Sequence, residues 1–116
     1  MSKYNSRKTT IDGIVFDSVL ESKFYFYLKH NTDKIKLLDR QVVVELLPKS
    51  GKARSVKYIA DFLIEYQGKQ FLVDSKGVKT DVFNLKMNLY SRLADQLKLI
   101  VAKTINEMII DLKTNF

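Results

Sequence analysis

The chain has 116 residues and a formal net charge of +7, with 20 Lys and Arg against 13 Asp and Glu. That length suits one domain spanning 1–116, and 46% apolar content argues for a packed core rather than disorder. With no cysteine and a single histidine, disulfides, thiolate zinc sites, cysteine nucleophiles and two-histidine metal centres are excluded. The basic excess points to a polyanionic partner, nucleic acid or an anionic membrane face, with a merely basic protein as the plain alternative.

Residues 1–10 are polar and basic (Lys3, Arg7, Lys8) and are expected to form a loose arm. They hold no apolar stretch resembling a signal peptide, and no run nears the ~20 apolar residues of a membrane span. A soluble, cytoplasmic protein without a membrane partner is the expectation. Asp12-Gly13 marks a turn. Ser18, with Glu21 three residues later, reads as a capping box opening a helix over about 18–30, which sets Leu20, Phe24, Tyr27 and Leu28 at helical spacing. His30, near the end of that helix, is expected at the surface. The Tyr25, Phe26, Tyr27 cluster suits a core or a dimer interface better than a base-stacking platform.

A strand is predicted over 34–47 from Val42, Val43, Val44, Leu46 and Leu47, stopped by Pro48. The loop after it carries Lys49, Lys52, Arg54 and Lys57 without one acid, so it reads as a phosphate-contacting loop or a solvated turn. Strands over 56–66 and 69–76 flank Gln67-Gly68, a hairpin turn. Thr80 or Asp81 caps a helix over about 82–95. Leu97 to Ala102 forms a buried strand, and a last helix runs over about 104–113. The expected class is α/β, an α+β mixed sheet flanked by helices in the order αβββαβ with a C-terminal helix.

The hairpin carries the chemistry. With a two-residue turn at Gln67-Gly68, Tyr66 faces Lys69, and counting back brings Asp61 opposite Asp74, Cβ atoms about 4.5–5.5 Å apart. Alternation puts Lys76 on the Asp74 face, together with Ile59, Leu63 and Leu72. Facing carboxylates repel, and a divalent cation between them removes the conflict. Oxygen donors, few in number, with water and phosphate completing the shell, describe magnesium. Two other readings stand beside this one. Asp74 could form a surface salt bridge with Lys76 or Lys57 while Asp61 faces solvent. A bulge at Gly68 would shift the register by one and undo the pairing.

Tyr58-Ile59-Ala60-Asp61-Phe62, followed thirteen residues after the aspartate by Asp74-Ser75-Lys76-Gly77, resembles the active-site hairpin of the PD-(D/E)XK nuclease superfamily. Ala60 stands where that pattern often has proline. The series from Glu21 through these two motifs to Phe83-Asn84-Leu85-Lys86 is similar to a compact, phage-associated branch of uncharacterised or Holliday-junction-resolvase-like nucleases. The resemblance implies a restriction-endonuclease-like core and a metal-dependent deoxyribonuclease inside a phage-infected or bacterial cell, using magnesium, with manganese as a substitute. It implies that Asp61 and Asp74 bind the metal with the Ser75 carbonyl, and that Lys76 orients the attacking water and stabilises charge on the phosphate. Products would carry a 5′-phosphate and a 3′-hydroxyl. Glu21 would reach the metal directly or through water, or serve only its capping box. Lys49, Lys52, Arg54, Lys57, Lys79 and Lys86 are the candidate DNA contacts.

The expected function is hydrolysis of phosphodiester bonds in branched DNA, as in recombination, by a homodimer, since one site per chain cuts one strand. Alternatives are a nuclease subunit of a transposase or restriction assembly, a DNA-binding module that has lost catalysis, and a basic RNA-associated protein.

Overall fold

A computed structural model of the chain describes residues 8–31 and 33–115. The element order is β1 (Thr9–Ile11), β2 (Ile14–Phe16), α1 (Val19–His30), β3 (Ile35–Leu47), β4 (Val56–Tyr66), β5 (Lys69–Ser75), α2 (Asp81–Ser91), β6 (Lys98–Ala102) and α3 (Ile105–Thr114). Four strands form one mixed sheet in the order β3-β4-β5-β6, antiparallel except for the parallel β5/β6 pair that α2 connects. The expected α+β architecture is the one observed. Among the described residues no helix is long and apolar enough to cross a membrane.

Each face of the sheet buries a separate cluster. On one face, Phe24, Tyr25 and Leu28 of α1 and Met108 and Leu112 of α3 pack on Phe62, Ile64, Phe71, Val73 and Ile100. On the other, Phe83 and Tyr90 of α2 pack on Leu46, Tyr58, Ala60 and Leu72. Strands covered on both sides by helices explain why β5 is buried at every position from Phe71 to Ser75.

The hairpin turn adopts left-handed φ at both positions, +50° at Gln67 and +79° at Gly68, as a two-residue type I′ turn requires. The β4/β5 ladder then runs unbroken from Tyr66↔Lys69 to Phe62↔Val73, so no bulge shifts the register. Strand β3 is less regular. It carries one extra residue at Leu38 and another at Leu46, and Gln41 sits at φ +52° in its interior.

That irregularity inverts the β3/β4 ribbon. Phe62 and Ile64 belong to the α1/α3 cluster, whereas Ala60 and Tyr58, of the same parity, belong to the α2 cluster. Arg40 and Val42 divide in the same way, Arg40 over Phe16 and Tyr25, Val42 against the α2 cluster. Simple alternation therefore fails across Gln41 and Asp61. Ile59, expected to share a buried face with Leu63 and Leu72, is instead 51% exposed.

Two further boundaries differ from expectation. Residues 1–7 of the proposed arm lie outside the described residues, but Thr9 and Thr10 form a strand. Asp12 and Gly13, at φ +55° and +76°, close a hairpin that packs Ile11, Ile14 and Phe16 on the α1 cluster. The Tyr25 hydroxyl donates to Asp12 and ties that hairpin to α1. Helix α2 ends at Ser91 rather than 95, and Asp95 at φ +58° lies in the turn that leads to β6. The Tyr90 hydroxyl, donating to the Leu97 carbonyl at 2.5 Å, holds that return.

Candidate active site

Asp61 and Asp74 occupy the next facing positions after Phe62↔Val73, the last pair of the ladder, and Asp74 is close enough to act on the Asp61 carboxyl. Asp61 stands at the inversion point of the ribbon. Its Oδ2 accepts from the Ser75 backbone N–H at 2.9 Å and from the Ser75 hydroxyl at 2.7 Å. Ser75, expected to offer its carbonyl, thus also fixes the Asp61 rotamer. Burial first, then the adjacent Asp74 carboxyl, push the Asp61 pKa up to about 7, against the lowering effect of the two Ser75 bonds.

Asp74 is 1% exposed, which is unusual for a carboxylate without close partners. Its Oδ2 accepts from the Tyr58 hydroxyl at 2.5 Å and lies 3.6 Å from the Lys76 ammonium. Burial and the Asp74 charge push the Tyr58 phenol upward, so it stays protonated and acts as a donor. Lys76 follows directly on β5, with its N–H donating to the Ala102 carbonyl at 2.9 Å. Its ammonium also lies over the Phe83 ring, 4.9 Å from the centroid. Asp61, Asp74, Ser75 and Lys76 are therefore brought together. Asp74 pairs with Lys76 as a buried member of the site, not as a surface salt bridge.

Glu21 approaches from α1. Ser18 caps the helix by accepting from the Glu21 N–H at 3.1 Å, but the Glu21 carboxylate turns toward β3. There its Oε2 accepts from Arg40 Nη2 at 3.4 Å and from Gln41 Nε2 at 3.1 Å. Burial and the nearby Asp61 raise the Glu21 pKa, and Arg40 opposes them. Glu21 is thus an electrostatic neighbour of Asp61, held by two side chains that sequence reasoning did not single out. Tyr58 belongs to the sequence motif but takes no role from it, because alternation alone separates it from the Asp74 face. The one legible hint of Arg40 and Gln41 is the polar run Asp39-Arg40-Gln41 that breaks the apolar pattern ahead of Val42.

The cations divide by location. Lys57, Lys76 and Lys86 line one groove of about 340 Å³ beside Tyr58, with Ile59 and Val82 as apolar walls. Lys49, Lys52 and Arg54 are exposed on the β3–β4 loop, about 17 Å or more from Asp61 along the strand, and Lys79 is exposed in the β5–α2 link. His30 is exposed, stacked on Phe26 at 4.3 Å, with Nδ1 2.9 Å from the Phe26 carbonyl oxygen.

Two carboxylates and a backbone carbonyl are hard oxygen donors, the set that magnesium takes with water and phosphate. Pressing a half-buried Asp61 against a fully buried Asp74, with Asp61 shifted toward its neutral form, leaves a charge problem that a divalent cation would solve. The residues present fit such an ion. Among the described residues, no group of three or more acidic or imidazole side chains is gathered closely enough to cage a metal unaided. Water or phosphate oxygens would have to complete the shell.

No curated protein matches the chain. A family model matches residues 1–108, nearly the whole length, and its description is protein of unknown function. The chain belongs to that family, DUF1064.

Proposed function

We propose that the chain is a magnesium-dependent endonuclease that hydrolyses phosphodiester bonds in branched or otherwise structured DNA. One observation carries the reading: a half-buried Asp61 and a fully buried Asp74 meet on one hairpin, with the Lys76 ammonium 3.6 Å from Asp74. The likeness of these motifs to the PD-(D/E)XK hairpin and the +7 charge support it.

Asp61 and Asp74 would hold the magnesium, with the Ser75 carbonyl as a third oxygen. When bound, the ion supplies Lewis-acid polarisation of the phosphate and an acidified water. The chain's own residues set the geometry. Ser75 locks Asp61 through two hydrogen bonds, and Tyr58 locks Asp74 through one. Lys76 presents a cation to the non-bridging oxygens and to the attacking water, and the Asp74 charge and Phe83 ring keep its flexible stem in place. Lys57 and Lys86 would receive the neighbouring phosphates along the groove. Cutting both strands would take two copies of the chain.

A DNA-binding module without catalysis is the second reading. It is favoured by the finding that, among the described residues, no three acidic or imidazole side chains are gathered closely enough to hold a metal by themselves. Cleavage of synthetic four-way junctions and linear duplex, with magnesium present, separates the two. The nuclease reading expects magnesium-dependent product, faster on junctions, and a loss of at least a hundredfold in Asp74→Ala, about 3 kcal/mol of transition-state stabilisation. Binding without product on either DNA would establish the module instead.

A further inference from the structure

Strand β3 holds a glutamine where its backbone favours glycine. Gln41 has φ +52° in the interior of a thirteen-residue strand, opposite Asp61, at the point where the ribbon inverts. Left-handed backbone is strained for a residue with a side chain, and such outliers concentrate where the side chain is needed. The Gln41 amide has a definite target, donating to Glu21 Oε2 at 3.1 Å. The adjacent Arg40 reaches the same oxygen at 3.4 Å.

Arg40 is placed by packing. Its guanidinium lies over the Phe16 ring at 4.6 Å and the Tyr25 ring at 5.7 Å. Its Nε is buried without a hydrogen-bond partner among the described residues, so stacking fixes the group and the Glu21 bond falls to Nη2. Glu21 has another conformation open to it. In a capping box its carboxylate would fold back onto the Ser18 N–H, away from the sheet. Repulsion from Asp61 favours that escape.

We propose that Gln41, braced by Arg40, is a positioning residue that holds the Glu21 carboxylate beside Asp61, where it meets the divalent cation through water. The proposal rests on the cation reading of Asp61 and Asp74. Strand β3 thereby contributes to the site without supplying a metal ligand, and its left-handed residue aims the amide across at α1.

The test is magnesium affinity measured by calorimetry on the isolated protein, without DNA. Gln41→Gly takes the φ without strain, so its unfolding temperature should match or exceed that of the wild type. Its magnesium dissociation constant should rise about ten- to a hundredfold, the range expected for one hydrogen bond to a charged group. Glu21→Gln should rise at least as much, and the double variant should be no weaker than Glu21→Gln alone. Wild-type affinity in Gln41→Gly, or losses that multiply in the double variant, would overturn the positioning role. These affinities judge it whether or not the protein cleaves DNA. A wild-type chain that binds magnesium but makes no product sinks the nuclease reading alone, and one that binds no magnesium sinks both.

Discussion

Asp61 contributes a pH dependence to the stability of the metal-free protein. Its folded pKa is raised to about 7 from the 3.8 of an unperturbed aspartate, so the folded chain binds more protons than the unfolded chain between those values. Stability is then fully present below about 4 and is lost as pH rises toward 7. Chemical denaturation across that window should show the decline, and Asp61→Asn should flatten it. Asp74→Asn should flatten it only in part, since burial is the larger cause and Asp74 the smaller. Tyr58 makes a second prediction at the same scale. Tyr58→Phe removes the hydroxyl donor from a carboxylate that is 1% exposed, so it should cost about 1–3 kcal/mol at pH 8, read from the denaturation midpoint. An unchanged midpoint would mean that water replaces the hydroxyl.

At the scale of elements, the facing aspartates depend on one turn. Gly68 at φ +79° and Gln67 at +50° close a two-residue loop, and that loop length fixes every pair up to Phe62↔Val73. Gly68→Ala has open space for its Cβ but not a favourable backbone, so a loss of about 1 kcal/mol is expected, with the register kept. Strong slippage, visible as lost cross-strand contacts in NMR spectra, would show that the turn alone holds the pairing. This register was legible in the sequence because Gln-Gly between two β-type runs has few geometries. The position of Ile59 was not. It follows from the inversion at Gln41 and Asp61, which no local propensity encodes: Gln41 takes a conformation that its residue type seldom adopts. The β1/β2 hairpin escaped notice for another reason, since three-residue strands show too little alternation to stand out from the polar segment before them.

Across the whole molecule the basic excess is unevenly placed. Lys57, Lys76 and Lys86 converge on the groove beside Tyr58, while Lys49, Lys52, Arg54 and Lys79 are exposed outside it. Composition showed the excess but not its division, because that follows from which loops close against the sheet. If the groove cations meet phosphates, DNA affinity should fall steeply with salt, and Lys57→Ala or Lys86→Ala should each lessen the log–log slope by about one. Equal slopes in wild type and variants would place the contacts elsewhere. The capping-box motif, similarly, named Glu21 correctly as a residue of the first turn, yet only the assembled sheet turns its carboxylate to Arg40 and Gln41.

The most direct measurement is the unfolding free energy at pH 8 as magnesium is added. Ligand binding to the folded state alone stabilises it by about 1.4 kcal/mol at ten times the dissociation constant. The wild-type chain should gain stability along that curve, while Asp61→Asn and Asp74→Asn should stay flat. An equal gain in Asp74→Asn, or none in the wild type, would contradict a shared cation between the two aspartates.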